Sequence, residues 1–190
     1  MTGSVEEQAF PAALRPAVRA VVLQVAGGVP ERLPAGYRVV HAGEALLLPV
    51  RVYYPPAALL AGVAQEGDAG LIALCLGTRH HDGHVRERCI QGVLERGAPW
   101  AMPFVLQALD DYVLPVVLRI EAARTAGARG WDESIAVRLA GENPAWFATL
   151  ERRAISYWNE HHRARYQQRQ AYPACRVIAA LRGAAGLTPR

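Results

Sequence analysis

One arginine breaks the apolar face of an otherwise regular amphipathic helix, and few packings can accommodate it. The helix lies in the stretch from His80 to Ala123. With Val85 at zero and about 100° per residue, Cys89 falls at about 40°, Val93 at about 80°, Ile90 at about 140° and Leu94 at about 180°. Glu87, Arg88, Gln91 and Glu95 fill the opposite arc, and Arg86 lands at about 100°, among the apolar residues. A guanidinium does not deprotonate, so there it must reach outward or meet a carboxylate and keep its hydrogen bonds. Asp82 is the nearest acid in sequence. It precedes Gly83 and suits an N-cap, so one side chain is expected to do two things, closing the helix start and neutralising Arg86 as a structural ion pair, Asp82 with Arg86.

Asp82, Val85-Arg86 and the small Cys89 together resemble the second helix of a HEAT-like repeat, whose pattern runs Asp, a gap, Val-Arg, a gap and a small residue. About 31 residues further on, Asp111-Tyr112-Val113-Leu114-Pro115-Val116 resembles a second copy, with Val117 where Arg86 stood. Two degenerate units then cover residues 57 to 123. The resemblance implies a mostly α chain of stacked helical hairpins, an α-solenoid, with an extended surface for a protein partner. An ordinary helical domain whose hairpins echo each other is the other reading.

A chain of 190 residues can bury one substantial core, so a single domain over 1–190 is expected. Its parts are an N-terminal helix and loop (1–36), a β-hairpin (37–54), helical hairpins (55–125) and basic C-terminal helices (126–190). All 21 basic residues are arginine, which in so Ala-, Gly- and Pro-rich a chain reflects a GC-rich composition and is poor evidence for phosphate binding. The distribution is more informative: 11 arginines against 12 acids through Arg124, and 10 against 5 beyond it, a net of −1 and +5. Three isolated cysteines form no CxxC pair and fit a reducing compartment. Glu6 and Glu7 stand where a secretory signal needs positive charge. The apolar run from Ala45 to Ala64 holds Arg51 and three prolines, so no membrane span and a cytoplasmic location are expected.

Residues 1–10 read as frayed. Pro16 opens a helix with Val18, Val21, Val22 and Val25 on one stripe, ended by Gly27-Gly28 and followed by a loop from Val29 to Gly36. Tyr37 to Tyr54 reads as a hairpin turning at His41-Ala42-Gly43-Glu44, with His41 solvated. Helices are expected at 56–65 and 69–77, after Gly83, and from Pro99 or Pro103 to a turn at Asp110-Asp111. Asp132 to Ala140 fits either a helix or a strand, because Ile135, Val137 and Leu139 alternate. Asn143-Pro144 starts a helix expected to reach about Gln170. Pro173 starts a last one ended by Gly183.

Two constellations could carry chemistry. His80, His81, Asp82 and His84 resemble the His-Asp core of the HD metal-dependent phosphohydrolases, which also need an upstream histidine and a downstream aspartate; His41 and Asp110 or Asp111 are the nominees. Asp82 has the competing explanation of a cap, and no metal or other cofactor is expected. No nucleophile elbow, P-loop, H-E-x-x-H or dinucleotide fingerprint is present. The second constellation is basic and aromatic: Arg152, Arg163, Arg165 and Arg169 interleave with Tyr157, Trp158, Tyr166 and Tyr172, a pattern that could meet phosphates and stack bases. The expected function is a non-enzymatic adaptor or immunity-type protein-binding module. A nucleic-acid binder and an HD-type hydrolase are the alternatives.

Overall fold

The computed structural model describes residues 4–26 and 36–188. The expected glycine stop at 27–28 and most of the loop after it lie outside those residues, as do 1–3. Along the described chain run α1 (Val5–Gln8), α2 (Arg15–Val25), β1 (Tyr37–His41), β2 (Glu44–Leu48), α3 (Pro56–Val63), α4 (Gly67–Gly77) and α5 (Gly83–Arg96). They are followed by α6 (Met102–Gln107), α7 (Leu114–Ala126), α8 (Glu133–Glu142), α9 (Pro144–Tyr157) and α10 (Pro173–Ala184). The described residues are therefore mostly α, with one two-stranded antiparallel hairpin among them.

The N-terminal segment is anchored rather than frayed from residue 4 onward. Ser4 accepts from the Glu7 amide and caps α1, while Ala9 and Phe10 are fully buried, Phe10 against Trp100 and Phe104. α2 buries Val18, Val21 and Val25, the period-3.6 stripe.

In the hairpin, Tyr37 pairs with Leu48 and His41 with Glu44, leaving a two-residue turn at Ala42 (φ 51°) and Gly43 (φ 80°). Positive φ at both positions matches the twist of the strands. Side chains alternate in a strand, so Val39 and His41 share the inward face with Leu46 and Leu48. His41 is accordingly buried rather than solvated, because the parity that buries Val39 buries it too. The pairing stops at Leu48, short of the expected Tyr54, since Pro49 has no amide for a ladder.

α4 is apolar on every side and buried from Gly70 to Gly77, with α2, α3 and α5 packed around it. A Cβ on Gly77 would collide with the Cys89 sulfur, so glycine there allows α4 and α5 their close approach. α5 packs on α7, and α10 on α7, α8 and α9. Ile135, Ala136, Leu139 and Ala140 form the buried face of α8, and Asp132 accepts from the Ile135 amide at 3.0 Å to cap it. The helical alternative thus holds for that segment.

α9 ends at Tyr157, well before Gln170. A π-helical turn follows at Trp158–His162, and the chain then folds back. The Trp158 indole donates to the Tyr166 carbonyl (2.7 Å), and a ring nitrogen of His162 bonds the Tyr112 carbonyl (2.8 Å). Those tertiary bonds outcompete a straight continuation.

Candidate functional site

Arg86 is completely buried, as its place on the helical wheel requires, but its carboxylate comes from the connection that precedes α7. Nε lies 2.5 Å from Asp111 Oδ2 and Nη2 2.9 Å from Asp111 Oδ1, while Nη1 donates to the carbonyls of His80 (2.8 Å) and His81 (2.9 Å). Burial acts to lower the Arg86 pKa, and the bonds to Asp111 and Tyr112 raise it above the ordinary arginine value. Asp82 does cap α5, accepting from the His84 amide at 2.8 Å, yet it does not pair with Arg86. Of the two duties expected of Asp82 it keeps the cap, and the ion pair belongs to Asp111, whose Oδ1 also accepts from the Val113 amide (2.9 Å) just before α7.

A second buried arginine lies beside the first. Arg79 follows the last turn of α4, where a cation suits the helix dipole. It donates to the carbonyls of Pro49 (3.2 Å) and Val50 (3.0 Å) and sits 3.3 Å from Asp110 Oδ1. Asp110 also accepts from Gln107 Nε2 (2.9 Å), and Gln107 Oε1 accepts from the Trp146 indole (2.6 Å). Arg153 Nε lies 2.9 Å from Asp110 Oδ2 without an aligned hydrogen bond, so that contact is Coulombic. Burial raises the Asp110 pKa, and the nearby Arg79 and Arg153 oppose that rise. Asp110 and Asp111 stand at the turn expected of them, and in addition both are buried ion-pair anchors. Their adjacency between apolar helices was the available signal. Arg79, three positions beyond the run from Leu71 to Leu76, was another.

The network reaches the surface through aromatic rings. His80 is buried; its Nδ1 accepts from the Asp82 amide (3.0 Å), which leaves the proton on Nε2 to be donated to the Tyr54 carbonyl (2.9 Å). Burial lowers its pKa, more than the Tyr54 bond raises it. His81 stacks between His80 and Tyr53, with centroids at 4.2 and 5.3 Å. Tyr112, its ring 5.3 Å from the Arg86 guanidinium carbon, meets Tyr157 at 5.8 Å and His161 at 5.9 Å. Arg153 donates to the Tyr157 hydroxyl at 2.9 Å. Tyr53 and Tyr112 are 52% and 42% exposed, so aromatic rings at the edge of the buried ionic network are open to solvent.

The nominated metal ligands do not converge. Both nitrogens of His80 are engaged, Asp82 is a cap, His81 is stacked, His84 is exposed at the helix start, and His41 is bonded to the Pro99 backbone in the hairpin. Among the described residues no three His, Cys, Asp or Glu side chains could hold an ion together. The cysteines are poor thiolate sources, since burial pushes Cys89 up to about 12 and Cys175 up to about 11.

Arg152, Arg163, Arg165 and Arg169 are all exposed, and none meets a carboxylate among the described residues. Arg152 donates to Thr149 (2.7 Å); Arg163 lies 5.9 Å over Trp158 and Arg165 5.7 Å over Tyr166. By contrast Arg176 pairs with Glu121 and Arg182 with Glu151. Comparison with protein-family models, with curated proteins and with solved structures returned no match.

Proposed function

We propose that this chain is a protein-binding module of adaptor or immunity type, with the partner seated on the face formed by Tyr53, His81, Tyr112 and Tyr157. The observation that carries the reading is the exposure of Tyr53 and Tyr112 at the edge of the buried ionic network. Rings held rigid lose little entropy on binding, and tyrosine and arginine dominate the energetics of protein interfaces. The HEAT-like resemblance accords with this, since α4 packs on α3, α5 on α4, and α7 on α5 across the intervening α6. Three free cysteines fit a reducing, cytoplasmic setting. No helix among the described residues is long and apolar enough to cross a membrane.

The test places a photo-crosslinking phenylalanine analogue at Tyr53, at Tyr112 and, as control, at exposed Thr125 near the far end of α7. One stoichiometric partner captured from the first two positions and not from the third is the expected result. Equal capture from all three, or none, overturns the reading.

A nucleic-acid role is the second reading, favoured by the four arginines that meet no carboxylate among the described residues. It requires single-strand binding that weakens steeply with salt, with a slope that falls by about one when a phosphate-binding guanidinium is removed, as in Arg163→Gln or Arg169→Gln. Because Arg163 and Arg165 already lie over Trp158 and Tyr166, those rings are partly occupied as stacking platforms.

A further inference from the structure

We infer that Arg51 is the centre of an oxyanion seat, taking a carboxylate or phosphate group at the guanidinium it holds on the segment that joins β2 to α3. The inference goes beyond the protein-binding reading and stands without it, because a chain that bound no protein would still carry the seat.

Charge is the first support. Arg51 shares its surroundings with Arg79, Arg86, Asp110 and Asp111, and Arg153 contacts Asp110. Those are four guanidinium groups and two carboxylates. Asp111 is taken by Arg86 in a two-bond fork, and Asp110 is divided between Arg79 and Arg153. Among the described residues Arg51 is left without a counter-ion. Its Nη1 is buried and has no hydrogen-bond partner there. A guanidinium keeps its proton, so the deficit is not relieved by neutralisation as it would be for a histidine. Burial, with repulsion from Arg79 and Arg86, presses the Arg51 pKa below the ordinary value.

Orientation is the second. Along residues 51–54 Val52 and Tyr54 are buried, Tyr53 is exposed, and Arg51 is half-buried with its Nη1 turned in towards the ion network. The segment cannot swing away, because the Val52 amide donates to the Arg79 carbonyl (2.9 Å) and the His81 amide to the Val52 carbonyl (3.0 Å). Arg51 is thus half-buried on a fixed backbone, next to an exposed tyrosine ring. Planar donors on a rigid support favour oxyanions over chloride, since a carboxylate or phosphate can accept two parallel N–H bonds.

The experiment follows the side-chain Nε–H resonances of the arginines in the full chain by NMR, titrating inorganic phosphate and then acetate against sodium chloride at equal ionic strength. A saturable shift at Arg51 with phosphate or acetate, absent with chloride, is expected. Arg51→Gln should weaken that binding about tenfold or more, read from the neighbouring Arg86 and Arg153 resonances. Arg51→Gln should fold, because it removes a cation that other cations repel. Should it not, Arg51→Lys keeps the charge, loses the fork and should bind phosphate more weakly than the native chain. A blocked glutamate peptide and a blocked phosphotyrosine identify the source: affinity above that of the free ions assigns the anion to a partner chain, and affinity no better assigns it to a free metabolite. Shifts that chloride reproduces, or that Arg51→Gln leaves unchanged, overturn the seat.

Discussion

Arg86 donates two hydrogen bonds to Asp111, and both side chains are shielded from solvent, so removing either partner leaves a buried charge without its counter-ion. Asp111→Ala should lower unfolding free energy by about 3–5 kcal/mol. Asp82→Ala, which removes only a cap, should cost about 1 kcal/mol. Urea denaturation of the two variants separates these values, and a larger loss at Asp82 would contradict the pairing described. The two buried histidines set a pH dependence. Burial depresses the His41 and His80 pKa values, so the unfolded chain binds protons more readily than the native one below about 6.5. The stability they contribute is fully present above that pH and is lost as pH falls towards their depressed native values. His80 must also give up the Asp82 amide at Nδ1 to accept a proton, so α5 should loosen at its first turn. The midpoint of thermal unfolding should therefore fall between pH 7 and pH 5, and His41→Gln with His80→Gln should flatten that slope. An unaltered slope in the double variant would refute the assignment.

The junction of α8 and α9 shows how one residue can join distant elements. Its place before Pro144 makes Asn143 an expected side-chain cap for α9; instead Oδ1 accepts from the Val40 amide (2.6 Å) and Nδ2 donates to the carbonyls of Val40 (2.8 Å) and Leu139 (2.9 Å). The side chain acts as a short extra pairing partner for β1. Two hydrogen bonds to the hairpin disappear in Asn143→Ala, at a cost of about 1–3 kcal/mol. Hydrogen exchange at Val40 should accelerate far more than at Ile90 in α5; equal acceleration would mean general destabilisation and no specific anchor. A close approach between helices is testable in the same way. Gly77→Ala should destabilise by about 1–3 kcal/mol through overpacking against Cys89, and Cys89→Ala should recover part of the loss. Independent, additive effects in the double variant would show that the two residues do not touch.

Among the described residues one contiguous apolar core runs from Phe10 and Val18 through α4 to Leu181, and the ion network fastens the 49–54 segment, α4, α5, α7 and α9 to one another. A chain of independent repeats has no such element. Unfolding should therefore be a single cooperative transition, with helix content by circular dichroism and tryptophan fluorescence changing together. Separate midpoints would favour a divisible repeat array.

Much of the architecture was legible because it is local. Helix periodicity, the Ala42-Gly43 turn, the Asp82 cap and the need of Arg86 for an acid depend on residues within a few positions of one another, and the chain reproduces them in any compact arrangement. The candidate site was not legible. A long guanidinium can reach any carboxylate that the fold brings within a few ångströms, and Asp111 is 25 residues away. The approach of α5 to α7 decides that Asp111, and not Asp82, is within reach. The same packing turns Asp110 inward, folds the chain back after Tyr157 and leaves Arg51 without an anion among the described residues. Sequence determined which groups had to be satisfied; only tertiary structure decided by whom, because hydrogen bonds and ion pairs depend on distance in space and not on separation along the chain.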